Sequence, residues 1–134
     1  MISLVIFFAL STHGVKSAAE VSAMRRQTTL QMGSNGSREE LRVGDEVHIE
    51  LQAIGGAGYW WYFDGFDSDH FDLLREETRV ENPARGTVGS PVIGVWILGV
   101  RKAGITSIRM KCYRQWEGME KSVNQFEVQV DILP

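Results

Sequence analysis

The stretch "QFEVQVDI" (Gln125–Ile132) alternates without a break: Phe126, Val128, Val130 and Ile132 on one side, Gln125, Glu127, Gln129 and Asp131 on the other. A period of two puts successive side chains on opposite faces of a strand, so this stretch reads as a half-buried β-strand. Working outward, "SIRMKCY" repeats the pattern with Ile108, Met110 and Cys112 opposed to Arg109, Lys111 and Tyr113. "EVHIELQ" repeats it with Val47, Ile49 and Leu51 opposed to His48, Glu50 and Gln52. Such segments belong to antiparallel sheets with one face packed and one wet. "YWWYF" (Tyr59–Phe63) and "GVWILGV" (Gly94–Val100) are apolar on both faces, which suits central strands or strands bearing an outward aromatic patch. A further strand is expected within "RRQTTLQM" (Arg25–Met32) and a weaker one within "FDLLREETRVE" (Phe71–Glu81).

Turn signals separate these runs: "GSNGS", "VGDE", "GGAG", "DGFDSD", "NPARG", "KAG" and "QWEG". No helical period of ordinary length interrupts them. "SREEL" (Ser37–Leu41) has the look of a capping box, but "RVGD" stops it after about one turn. The expected fold is all-β: an immunoglobulin-like β-sandwich of about seven or eight antiparallel strands.

The chain has 134 residues, one domain's worth, with 43% hydrophobic and 23% charged residues and a net charge of -3. No basic block exceeds Arg25–Arg26, which argues against a nucleic-acid partner. The N-terminal run "ISLVIFFAL" (Ile2–Leu10) is apolar but too short to span a bilayer. It leads into "KSAAE", with Ser17 and Ala19 at the spacing read by signal peptidase. Residues 1–19 are therefore expected to be a signal peptide and residues 20–134 a single domain. The product would be secreted or periplasmic, with no membrane attachment after cleavage. The other reading of the run is an N-terminal buried strand.

Enzyme chemistry finds little footing. Cys112 is the single thiol, which excludes an internal disulfide and a multi-cysteine metal site; it shares a face with Ile108 and Met110 and reads as packing. His13, His48 and His70 lack ligand spacing. "DGFDSDH" (Asp64–His70) lacks the glycine and closing glutamate of a calcium loop and reads as an acidic turn. There is no GxSxG elbow and no phosphate-cradling glycine loop. No metal and no cofactor are expected.

Three loops remain unusual: "AIGGAGYWW" (Ala53–Trp61), "RGTVGSPVIG" (Arg85–Gly94) and "YRQWEG" (Tyr113–Gly118). The last places a tryptophan in a turn, where its apolar area is wasted unless something covers it. Counting strands puts all three loops at one end of a sandwich, the usual place for binding. In order and flanking strands they resemble the chagasin family, immunoglobulin-like inhibitors of papain-type cysteine peptidases. Gly58 and Tyr59 match that family's Gly-aromatic pair and Trp61 its strand tryptophan. Gly89 matches the first glycine of the second loop, completed by Ser90, Pro91 and Val92. Arg114 and Trp116 match the third loop, with Gln115 in place of proline. The resemblance covers about Val43 to Ile132. It departs from the family where Ile54, Gly55, Gly56 and Ala57 replace Asn-Pro-Thr-Thr, removing the threonine that faces the catalytic centre.

The resemblance implies a reversible inhibitor, not an enzyme, acting as a monomer on a papain-type cysteine peptidase. Its three loops would plug the cleft through Gly55, Gly56, Ala57, Gly58, Tyr59, Gly89, Ser90, Pro91, Val92, Arg114, Gln115 and Trp116. The alternative is a secreted carbohydrate-binding sandwich that uses Trp60, Tyr62 and Trp116 as a stacking platform.

Overall fold

The computed structural model describes residues 25–54, 57–80 and 91–134. Eight strands occur among them: β1 Gln27–Leu30, β2 Arg38–Arg42, β3 Glu46–Ile54, β4 Tyr59–Phe63, β5 Phe71–Val80, β6 Pro91–Val100, β7 Gly104–Arg114 and β8 Asn124–Leu133. They form two four-stranded sheets, ordered β1-β3-β6-β5 and β2-β8-β7-β4. The only helical pieces among the described residues are 3-10 turns at Met32–Ser34 and Met119–Lys121. The expected all-β sandwich is therefore the fold.

Alternation delivers the core. Val47, Ile49 and Leu51 of β3 are buried against Ile108, Met110 and Cys112 of β7 and Phe126, Val128, Val130 and Ile132 of β8. Trp61 and Trp96, each 2% exposed, are among its largest members. β6 is apolar on both faces because it lies inside its sheet, between β3 and β5. Its outward Val95 and Ile97 are buried in register beside long polar side chains: Glu50 and Glu77 flank Val95, His48 and Arg75 flank Ile97. Stems of such residues cover apolar surface while their heads stay wet. β4 is apolar on both faces for another reason. It is an edge strand whose Trp60 reaches round to Trp96, ring centroids 5.7 Å apart, while Tyr62 stacks on Tyr113 at 4.7 Å.

Two sequence readings change in detail. Ser37–Leu41 does not begin a helix: Arg38–Arg42 is β2, drawn into the sheet by Leu41, which is buried opposite Ile132. The pairing is also not antiparallel throughout, since β1 runs parallel to β3 and β2 parallel to β8. Successive strands β1, β2 and β3 alternate between sheets, so no hairpin constrains their direction. The acidic segment Asp64–His70 is a turn organised by Asp67. Its carboxylate accepts Thr106 Oγ1 at 2.6 Å, the Asp69 and His70 amides at 3.1 and 3.3 Å, and lies 2.6 Å from His70 Nδ1. Residues 1–24, including the expected signal peptide, lie outside the described residues.

Candidate functional site

The strand registers decide which loops share an end. Ile54, the last residue of β3, pairs with Pro91, the first of β6; Val80, the last of β5, pairs with Val92. Tyr59, the first residue of β4, pairs with Arg114, the last of β7, and β7 turns there into β8. The chain thus leaves and re-enters the sandwich three times at one end: between β3 and β4, β5 and β6, and β7 and β8. Gly55, Gly56, Gly89 and Ser90 fall outside the described residues. Pro91 and Val92, read from sequence as loop, are the opening residues of β6 and half-buried, because β3 extends far enough to pair with both and β5 far enough to pair with Val92.

Trp61 ties the first loop's two ends together. Its side chain is in the core, where an indole N–H needs a partner, and it donates to the Gln52 carbonyl at 3.0 Å. That bond links β4 to β3 just beyond the Ala57–Gly58 turn. Gly58 has φ 83°, a left-handed conformation that glycine adopts without a steric penalty. It is glycine for a second reason as well. A β-carbon there would collide with Cη2 at the outer edge of the Trp116 ring, so the third loop's indole abuts the first loop's backbone.

The register pairing of Tyr59 with Arg114 places the guanidinium over the Tyr59 ring, 4.9 Å from its centroid. The same guanidinium lies 5.6 Å from the Trp116 ring centroid. Arg114 is therefore held between two aromatic rings rather than free at a wet rim, and cation–π attraction acts on both sides. Its Nε donates to Glu117 Oε1. That bond and the ion pair hold the Glu117 carboxyl below the usual carboxylate range and push Arg114 further up. Above this stack Trp116 is 71% exposed, and Gln115 beside it is exposed too. Ala57 and Gly58 are exposed on the adjoining turn.

Of the sequence-named residues, the structure brings Gly58, Tyr59, Arg114 and Trp116 into one contact network and sets Ala57 and Gln115 beside it. Glu117 was missed; its signal was an opposite charge three residues after Arg114 in a turn. Cys112 is buried, as its face predicted, and burial pushes its thiol up, away from the reactive thiolate. The carbohydrate platform finds no support. Trp60 is half-buried against Trp96 and the core, and Tyr62 is taken up by Tyr113.

A sandwich with three loops gathered at one tip, one carrying an uncovered aromatic, is the architecture of a loop-borne binding module. The family model described as chagasin family peptidase inhibitor I42 matches residues 40–130, and the chain belongs to that family. It is a family of inhibitors, not of enzymes. Amoebiasin-2 of Entamoeba histolytica is 28% identical over 113 residues, 84% of each chain. Among solved structures, the cysteine protease inhibitor EhICP2 from Entamoeba histolytica shares the fold with a TM-score of 0.74. Its identity is 24%, over 82% of this chain and 98% of that one. PbICP-C, solved in complex with falcipain-2, shares it with a TM-score of 0.58 at 18% identity, over 81% of this chain and 91% of that one.

Proposed function

We propose that this chagasin-family protein reversibly inhibits papain-type cysteine peptidases by inserting its three-loop end into the active-site cleft. The observation that carries this reading is Trp116: 71% exposed, yet held in place by Gly58 and Arg114. An ordered aromatic left open to water is a binding anchor in waiting, because aromatic anchors supply much of the energy of a protein interface. PbICP-C, which shares the fold, was solved with falcipain-2 bound.

In this reading the first loop, Gly55–Gly58 with Tyr59, lies over the catalytic Cys–His pair and offers mostly backbone. Gly89, Ser90, Pro91 and Val92 meet one wall of the cleft; Arg114, Gln115 and Trp116 meet the other. The substrate is excluded, and no peptide bond of the inhibitor is held in attackable geometry. Ala57, where the family pattern has threonine, contributes shape without a hydroxyl donor. All contact groups come from one chain, which suits action as a monomer. Cleavage after Ala19 delivers it outside the cytoplasm, secreted or periplasmic.

Titration of papain with the purified chain tests the function. Inhibition is expected, and Trp116→Ala is expected to weaken it about 30-fold, the loss of about 2 kcal/mol typical of a central aromatic anchor. Failure of the folded wild-type chain to inhibit papain-type peptidases would overturn the reading. N-terminal sequencing of the exported product tests the cleavage site.

A further inference from the structure

Glu117 is the residue around which the third loop closes. Its Oε1 accepts Arg114 Nε, and its own amide and that of Gly118 both donate to the Arg114 carbonyl, at 2.9 and 3.2 Å. Trp116 has no core burial to select its rotamer. What holds the indole is the Gly58 backbone at its outer edge and the Arg114 guanidinium over its face. Gln115 adds no constraint, since it lacks the fixed φ that a proline would supply at that position. Order in this loop must therefore come from side chains, and Arg114 is the link. It is fixed at three points: the Tyr59 ring, the Trp116 ring and the Glu117 carboxylate.

We propose that Glu117 is a positioning residue of the peptidase-binding surface. By pinning Arg114 against Tyr59 and Trp116 it holds the edge of the indole against Gly58, so that the first and third loops are set against each other before a peptidase arrives. The proposal rests on the inhibitor reading above and assigns Glu117 no contact with the peptidase. Its physical content is preorganisation: a side chain already ordered in the free protein loses little freedom on binding. A partly exposed ion pair such as Arg114–Glu117 adds little to global stability. The effect belongs in affinity and in the ring's position, not in the unfolding temperature.

Gly58 lies against the outer edge of the Trp116 ring, so the ring current displaces its α-proton resonances in the free protein. Proton NMR of Glu117→Gln, which keeps the shape and removes the charge, reads that shift directly. The expected result is a reduced Gly58 shift and papain inhibition weaker by a few-fold to about tenfold. The same substitution in a Trp116→Ala background is expected to cost nothing further, because residues acting through one another are not additive. An unchanged Gly58 shift overturns the proposal. So does an undiminished loss of inhibition in the Trp116→Ala background, which would make Glu117 a direct contact. Should the wild-type chain inhibit no papain-type peptidase, the functional reading falls, while the Gly58 shift of the free protein still decides whether Glu117 positions the ring.

Discussion

Replacing Gly58 by alanine separates a backbone effect from a site effect. At φ 83° an L-residue costs roughly 1–2 kcal/mol relative to glycine. The new β-carbon also collides with the outer edge of the Trp116 ring, at Cη2. Because the rest of that ring is largely open to water, the indole swings away rather than the backbone yielding. The stability loss is then the backbone cost alone, a fall of about 4–8 °C in unfolding midpoint for a domain of this size. Binding suffers separately, since a displaced anchor forfeits about 2 kcal/mol, or about 30-fold in inhibition constant. Gly44 supplies the control. It has φ 95°, lies at the opposite end of the sandwich between β2 and β3, and a β-carbon there meets nothing within 4 Å. Gly44→Ala should lower the midpoint comparably and leave papain inhibition unchanged. Equal inhibition constants for the two variants, measured well below both midpoints, would refute the argument that Gly58 seats the anchor.

Gly94→Ala addresses the core: its β-carbon would lie 2.7 Å from Trp96 Cζ3 and 2.9 Å from Trp60 Cζ2. Calorimetry should show a loss of about 1–3 kcal/mol from overpacking. Cys112→Ala should leave inhibition intact and cost about 1 kcal/mol, a small cavity beside Trp61; loss of inhibition in a folded variant would contradict the packing role. Asp67 has its carboxyl held below the ordinary value, chiefly by the Thr106 hydroxyl bond and then by His70. Its stabilisation is therefore complete above about pH 4, the unfolded value, and disappears as pH falls through the lowered folded value. Urea unfolding of wild type and Asp67→Asn should accordingly differ near neutrality and converge in strong acid.

How far the sequence reached can be judged from particular residues. Period-two alternation in β3, β7 and β8 named their buried faces residue by residue, because a pleated strand with one dry side leaves no other arrangement. Local turn chemistry located the breaks between strands, and the loops that matter stood out because a tryptophan in a turn is chemically conspicuous. Direction and partnership were not legible. Parallel pairing of β1 with β3 and of β2 with β8 follows from alternation between sheets, a property of the whole chain path. Nor could spacing show that Trp60 turns inward to Trp96, since an edge strand has a third side that the two-face pattern does not describe. The site divides the same way. The resemblance to the chagasin family marked Gly58, Tyr59, Arg114 and Trp116 as candidates, and the tryptophan and arginine in a turn were unusual in their own right. Only the register of Tyr59 against Arg114 brings a guanidinium to two rings and sets an indole's edge against a glycine 58 residues earlier in the chain. Such contacts join segments distant in sequence, and their energy depends on angstrom-scale placement that strand pairing sets and local sequence does not.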